Sequence, residues 1–304
     1  MRRLTAGARS DMNELYTYQS TNLNDGVFNS MNWGGSGAVA LICHSIGFCA
    51  GVYTPMATLM TDHFQVQGFD SRGHGRTKAP ADPKNLKNWN IFYDDMEGFC
   101  QHIGRPVIAI GHSMGGTVSM VAAVRRPELV RALIMIEPGI IPPEWILRTY
   151  LMQKCGLTGL APIVSKTVKR KNKWPDREAL RDHLSTNKMF LHWKRAFIDA
   201  YIEHMIEDTD TGAVQLRCDP RWEARCIATA PTDIWHYVPK LKIPTLIIYG
   251  TQTRTFLPSV IKRFKTEVPH AVLRCFEGPG HNVVMEKPRE SAEAILEFLR
   301  ENVN

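Results

Sequence analysis

The stretch Val107-Ile-Ala-Ile-Gly-His-Ser-Met-Gly-Gly-Thr-Val is the feature that most limits what this chain can fold into. A short apolar run, long enough for one buried strand, leads straight into Gly111-His112-Ser113-Met114-Gly115, and a helical pattern over 114–125 follows at once. A strand that gives way to a helix within so few residues must turn sharply. Such a turn strains the backbone of its central residue and lifts that side chain clear of the sheet. Glycines at 111 and 115 let strand and helix come close. Ser113 is therefore the candidate nucleophile, at the carboxyl end of a central strand, where open α/β sheets place their ligands.

The rest of the chain fits that frame. From residue 38 onward, continuous apolar runs suited to strands covered on both faces alternate with helical patterns. The predicted strands are 38–43, 64–69, 107–110, 133–136, 245–249 and 271–276, and the predicted helices are 53–62, 89–103, 114–125, 259–268 and 291–302. Between about Gly139 and Pro231 the rhythm breaks into a Trp-rich, charged, amphipathic segment punctuated by prolines. The spacing predicts one α/β domain, with a mostly parallel doubly wound sheet, built from 11–139 and 231–304. A helical lid over 140–230 is inserted between two of its strands.

A serine hydroxyl is a poor nucleophile at neutral pH and needs a base. Among eleven histidines, His281 is placed best: it sits in Glu277-Gly-Pro-Gly-His-Asn, after the last strand and before the last helix. The alternative is an ordinary surface-loop histidine. His112 adjoins the nucleophile, but its side chain is expected to point away. An acyl-transfer oxyanion needs preorganised N–H donors. These are expected from Met114, at the start of the helix after Ser113, and from Ile46, in the loop His44-Ser45-Ile46-Gly47 after the first of these strands. The charged turn Asp70-Ser-Arg-Gly-His-Gly-Arg76 follows the next strand and is expected to support the site.

Taken together, the elbow Gly-His-Ser-Met-Gly-Gly, the turn Asp-Ser-Arg-Gly-His-Gly, the late Gly-Pro-Gly-His and a relaxed oxyanion motif resemble the α/β-hydrolase superfamily, as a serine-nucleophile member with a helical cap. The resemblance spans nearly the whole chain outside the first ten or so residues and the lid. It implies the α/β-hydrolase fold, a Ser-His-acid catalytic triad and an oxyanion hole. Two departures stand out. Most relatives have His-Gly where this chain has His44-Ser45, which adds a side chain or hydroxyl beside the oxyanion. The triad acid usually follows the penultimate strand, but that segment, Gly250-Thr-Gln-Thr-Arg-Thr-Phe-Leu-Pro258, puts Thr253 at the acid position. Without an acid the histidine tautomer and the developing imidazolium lack support. Leu133-Ile-Met-Ile-Glu137 offers a replacement at the end of the strand after the nucleophile helix, as in some relatives, and keeps the order Ser–Glu–His. The expected triad is Ser113, Glu137 and His281. The alternatives are a Glu137 that only pairs with a base of the lid, or an acid from Asp210, Asp219 or Asp233.

Aromatic and Met residues spaced along the lid (Trp145, Tyr150, Leu151, Met152, Trp174, Met189, Phe190, Trp193, Phe197, Tyr201, Met205 and Trp222) are expected to form mainly core. Some are expected to line a slot for a bulky apolar or aromatic substrate, and Ser45, Trp145 and Trp193 are the named candidates. The function read from this is an esterase- or lactonase-like serine hydrolase acting through an acyl-enzyme. Carbon–carbon bond hydrolysis, lyase or cyclisation chemistry on the same triad is the first alternative, and a non-catalytic small-molecule receptor the second. An aspartate-nucleophile enzyme is disfavoured by Ser113.

Composition closes other routes. No phosphate loop, dinucleotide fingerprint or metal cluster occurs, so no cofactor and no metal are implied. No apolar run approaches the length of a membrane span. The N-terminus lacks the apolar stretch of a secretory signal, although three arginines precede its first acid, Asp11, as in some transit peptides. Seven scattered cysteines without a Cys-x-x-Cys pair read as buried free thiols in a reducing, cytoplasmic setting. The net charge of +7 raises nucleic acid as a partner, but the densest basic run, 166–175, is short and reads as a solvated helix end or loop. Residues 140–230 hold 15 Lys/Arg against 11 Asp/Glu, so the lid carries most of the excess.

Overall fold

The computed structural model describes residues 15–23 and 25–303, and the N-terminal stretch read for targeting signals lies outside the described residues. The main sheet has eight strands: β1 Thr17–Leu23, β2 Gly26–Gly34, β3 Val39–Cys43, β4 Gln65–Phe69, β5 Val107–His112, β6 Val130–Ile136, β10 Thr245–Gly250 and β11 Val272–Phe276. Three short strands of the inserted segment, β7 Lys173–Trp174, β8 Ile206–Asp208 and β9 Val214–Leu216, form a separate sheet. The main order is β1-β2-β4-β3-β5-β6-β10-β11. The six strands from β4 to β11 run parallel, and β1 and β2 add an antiparallel pair at one edge.

The longer helices are α1 Asn90–Ile103, α2 Met114–Arg125, α3 Ile146–Lys154, α4 Pro162–Val168, α5 Arg177–Thr186, α6 Arg195–His204, α7 Pro220–Ala228, α8 Pro258–Glu267 and α9 Pro288–Asn302. Alternate residues of the central strands feed two separate cores. Ala40 and Ile42 of β3 and Ile108 and Ile110 of β5 join Ile295, Phe298 and Leu299 of α9 on one face. Val39, Leu41, Val107 and Ala109 join Phe92, Met96 and Phe99 of α1 and Phe264 of α8 on the other. Burial on both faces is why these strands read as unbroken apolar runs. This is the mostly parallel α/β-hydrolase sheet that the sequence implied.

Every predicted strand is present within a few residues. Three local expectations are corrected. The helix predicted over 53–62 is a 3₁₀ turn, Ala50–Tyr53, and one helical turn, Thr54–Ala57. Beyond it the N–H groups of Leu59 and Met60 reach back three residues, and the hydroxyls of Thr58 and Thr61 bond nearby carbonyls. Those side-chain bonds compete with a continued helix. The segment between β6 and β10 is not purely helical, because it carries the β7-β9-β8 sheet. Of the seven cysteines, all free, Cys155 and Cys275 are exposed rather than buried, the latter because β11 is an edge strand.

The inserted segment packs on the sheet domain through its aromatic residues. Trp222 Nε1 donates to the carbonyl of Arg72 at 3.0 Å, and Trp89 Nε1 of α1 donates to the carbonyl of Cys226 at 2.9 Å. The Trp222 ring lies so close to Gly73 that a Cβ there would meet it at 2.1 Å. Trp174, Phe190, Trp193, Phe197, Tyr201, Met205 and Trp222 are buried, whereas Trp145, Tyr150, Leu151 and Met189 face solvent. The basic run is as expected in the main: its lysines are exposed, though Trp174 is buried and Arg170 pairs with Glu223. Among the described residues no helix is long and apolar enough to cross a membrane.

Candidate active site

The site is built on two neighbouring strands. β5 and β6 pair in parallel from Val107 opposite Val130 to His112 opposite Ile136, so their last residues lie side by side. The next residue on each strand, Ser113 and Glu137, has a positive φ: 54° for Ser113 and 45° for Glu137. Among the described residues, they are the only two non-glycine positions in that region. Each such conformation costs on the order of 1–3 kcal/mol and persists only where the surroundings impose it.

The surroundings of Ser113 are two glycines. A Cβ on Gly111 would meet the Gly115 carbonyl oxygen at 2.3 Å, and one on Gly115 would meet the Cys43 carbonyl oxygen at 2.0 Å. Only glycine lets β5, the start of α2 and the end of β3 converge. Ser113 N–H bonds the Ile136 carbonyl at 3.0 Å, and the Ser113 carbonyl accepts from Gly139 N–H at 3.0 Å, which ties the elbow to the end of β6.

Glu137 is fully buried, and its N–H donates to the Ile248 carbonyl of β10 at 2.8 Å. Its carboxylate accepts from Gly250 N–H at 2.8 Å, from the Thr253 hydroxyl at 2.5 Å and from the Thr255 hydroxyl at 3.0 Å. Three donors thus replace the water it has lost. Thr253, at the expected acid position, is now a donor to the relocated carboxylate.

His281 comes from the loop between β11 and α9. Its Nδ1 lies 2.8 Å from Thr255 Oγ1 and 3.5 Å from Glu137 Oε2. A hydroxyl has one proton. Since Thr255 donates that proton to a carboxylate that can only accept, it accepts the Nδ1–H of His281. The chain His281–Thr255–Glu137 therefore leaves the Nε2 lone pair free to take a proton. Among the described residues no hydrogen bond joins Ser113 Oγ to His281. Such contacts often tighten only when substrate is bound.

His112 holds the His281 loop. Its Nε2 lies 2.9 Å from the His281 carbonyl oxygen and its Nδ1 lies 2.7 Å from the Tyr53 hydroxyl. A carbonyl only accepts, so Nε2 carries the proton and the Tyr53 hydroxyl donates to Nδ1. Tyr53 in turn accepts from Ser45 N–H at 3.1 Å. Burial holds His112 neutral, with its pKa pushed down to about 3. One hydrogen-bonded chain thus joins the loop after β3 to the candidate base.

Met114 is the first residue of α2, and neither its N–H nor that of Ile46 has a bond within the protein among the described residues. Ser45 is buried beside Ile46. The turn after β4 is braced from below. Asp70 accepts from Ala50 N–H, Arg76 N–H and Asn29 Nδ2, while fully buried Arg72 bonds both carboxylate oxygens of Asp95 and pairs with Asp25. That guanidinium holds the Asp25 carboxyl below its ordinary range.

Of the residues proposed to bind substrate, Trp193 is buried, with its ring centre 5.6 Å from that of Phe48, which follows the 44–47 loop and lies 6.4 Å from the His112 ring. Trp145 stands apart, half exposed. The competing acids are elsewhere: Asp219 caps α7 and pairs with Arg221, and Asp210 and Asp233 are exposed. Thr255, Thr253 and Tyr53 were missed by sequence reasoning. The visible signal was the alternation of three threonines, at 251, 253 and 255, in the segment where the acid was absent.

A family model described as serine aminopeptidase, S33, matches residues 36–288. The chain belongs to that family. It is thereby a hydrolase of the α/β-hydrolase fold. A 2-(acetamidomethylene)succinate hydrolase of Mesorhizobium japonicum is 33% identical over 104 residues, which is 34% of this chain and 36% of that protein. The mouse sn-1-specific diacylglycerol lipase is 24% identical over 236 residues, covering 76% of this chain and 70% of that one. Among solved structures, E-2-(acetamidomethylene)succinate hydrolase superposes with a TM-score of 0.75 at 21% identity, over 94% of this chain and 99% of that one. A likeness at that identity speaks for the fold alone.

Proposed function

We propose that this hydrolase cleaves a carboxylic ester or lactone of a bulky apolar small molecule through an acyl-enzyme on Ser113, with His281 as base and Glu137 as acid. The observation that carries the reading is the pair of imposed positive-φ residues at the ends of adjacent strands. One presents a hydroxyl, and the other a buried carboxylate bonded through Thr255 to an imidazole.

In the first half-reaction Ser113 Oγ attacks the substrate carbonyl and His281 Nε2 takes its proton. The N–H groups of Ile46 and Met114 receive the oxyanion. Glu137 stabilises the imidazolium through the Thr255 hydroxyl and by charge. Collapse of the tetrahedral intermediate expels the alcohol, which leaves with the proton from His281. Water, deprotonated by the same nitrogen, then releases the acid. Residues 140–230 act as the cap, with Ser45, Phe48 and Trp193 placed to bound the acyl side of the slot. Trp145 is too exposed for that role unless the slot reaches the surface. Seven free cysteines favour a reducing compartment.

The reading is tested by a fluorophosphonate. Labelling of Ser113, lost in Ser113→Ala, together with turnover of p-nitrophenyl esters or aryl lactones, is expected. A wild-type protein that neither labels nor turns over any ester or lactone would instead be a small-molecule receptor.

A further inference from the structure

The inserted segment leaves one surface unaccounted for by catalysis. Eight of the thirteen large apolar side chains exposed among the described residues fall between Trp145 and Val168. Helix α3 has no buried residue. Its Leu147, Tyr150, Leu151 and Lys154 follow one another at spacings of three, one and three, which places them along one side of the helix. The helix is held at its start by Ile146, which packs against the core, and near its end by Gln153 Nε2, which donates to the carbonyls of Ala228 and Ala230 at 3.2 and 2.8 Å. The next helix, α4, packs inward through Val164 against Ala224 and Ala228 and leaves Ile163 61% exposed. Leu160, in the turn between them, is 73% exposed, and Leu147 is 68% exposed. A short helix whose inner side is only half buried gains little from packing, and clustered apolar exposure of this kind marks a surface with a partner.

The charge of the same segment selects the partner. Residues 145–174 contain seven Lys/Arg and no Asp/Glu. Arg148, Lys154, Lys166, Lys169, Lys171 and Lys173 are exposed along the same segment. A two-fold contact between copies through this face would set these six exposed cations against six, Arg170 being paired with Glu223, which disfavours a second copy. Apolar side chains interspersed with an excess of cations match an anionic lipid surface: the side chains enter the acyl boundary and the lysines stay at the headgroups.

We propose that the face formed by α3, the 157–160 turn and α4 docks the protein on the surface of an anionic phospholipid bilayer. Binding there is peripheral and reversible.

The test is cosedimentation of the full chain with vesicles of phosphatidylcholine alone or mixed with phosphatidylserine. The wild type is expected to pellet with the mixed vesicles, far less with the neutral ones, and to be released by salt. Lys166→Ala/Lys169→Ala is expected to weaken binding by on the order of tenfold or more. Leu147→Ser/Leu151→Ser/Leu160→Ser should abolish it. Both variants should unfold at the wild-type temperature, a control that does not draw on catalysis, so loss of binding is read independently of any esterase activity. Wild type that stays in the supernatant at low salt, or variants that bind like wild type, would overturn the proposal. So would a wild-type dimer that the leucine variant dissolves, which would assign the face to a second copy.

Discussion

Replacing Glu137 by Gln separates the relay from the shape of the site, because the two side chains are nearly isosteric. The structure sets the size of the effect. Glu137 Oε2 lies 3.5 Å from His281 Nδ1. At an effective dielectric of about 20, the attraction between that carboxylate and an imidazolium is about 5 kcal/mol. At about 1.4 kcal/mol per tenfold, that corresponds to a fall of three to four powers of ten in kcat. The amide does a second injury. Its Nε2, set where Oε2 accepted, donates to the Thr255 hydroxyl, which then turns its own proton toward His281 Nδ1. The imidazole is pushed to carry its proton on Nε2, where it cannot serve as base. Thr255→Val keeps the charge and removes only the bridge, so it should cost about ten- to a hundredfold, with most activity returning in Thr255→Ser. The assay is kcat and kcat/KM on a p-nitrophenyl ester, with the rate of fluorophosphonate labelling as a second readout of Ser113 reactivity. Glu137→Gln turning over within tenfold of wild type would falsify the assignment of the acid. Thr255→Val at wild-type rate would show that the hydroxyl is a bystander and that Glu137 closes directly on His281.

Three further outcomes are expected. Gly115→Ala forces a Cβ to 2.0 Å from the Cys43 carbonyl oxygen, backbone that cannot yield cheaply, so it should lower stability by about 3 kcal/mol or more; an unchanged melting temperature would contradict the close approach at the elbow. His112→Phe removes the donor to the His281 carbonyl and should lower kcat by about tenfold or more with a smaller change in KM, while His112→Gln restores part of it; equal values for all three would deny the positioning role. Acid should unfold the protein well above the usual carboxylate range. His74 and His112, pushed by burial to about 3, and His204, pushed to about 4, are neutral in the fold, whereas the unfolded chain takes up protons from about pH 6.5 downward. The unfolded state therefore binds more protons in this window and stability falls with pH, by about 2 kcal/mol for each histidine at pH 5. Glu97, Glu223 and Glu286, raised by burial, work in the opposite direction. A urea midpoint that is flat or rising from pH 7 to 5 would contradict this balance.

The parallel part of the fold was legible because burial on both faces leaves an unbroken apolar run, as in Val107–Ile110 and Leu133–Ile136. The edge was not. β1 reads Thr-Tyr-Gln-Ser-Thr-Asn-Leu and is largely exposed, so it carries no apolar period to detect. The strands of the inserted sheet, two or three residues long, are shorter than any pattern. Within the site, Ser113, His281 and Glu137 could be picked out because strand ends and glycine turns are local features. The two threonines could not be assigned, since their roles depend on where the 251–257 loop meets the end of β6. The aromatic residues of the inserted segment divided along a line that sequence does not mark: Trp193 and Trp222 went inward, while Trp145 and the leucines of α3 did not.

The placement of the acid also bears on how activity ends on heating. Ser113 and Glu137 stand at the ends of β5 and β6, whose register holds them together in the middle of the sheet, while the imidazole of His281 alone arrives from beyond the exposed edge strand β11. Thermal inactivation should then be a detachment rather than a melting: the outer strand loosens first, His281 leaves, and the two central partners remain in register. Amide exchange should become rapid across 272–281 while 107–112 is still protected, and brief cooling should restore turnover that prolonged heating destroys.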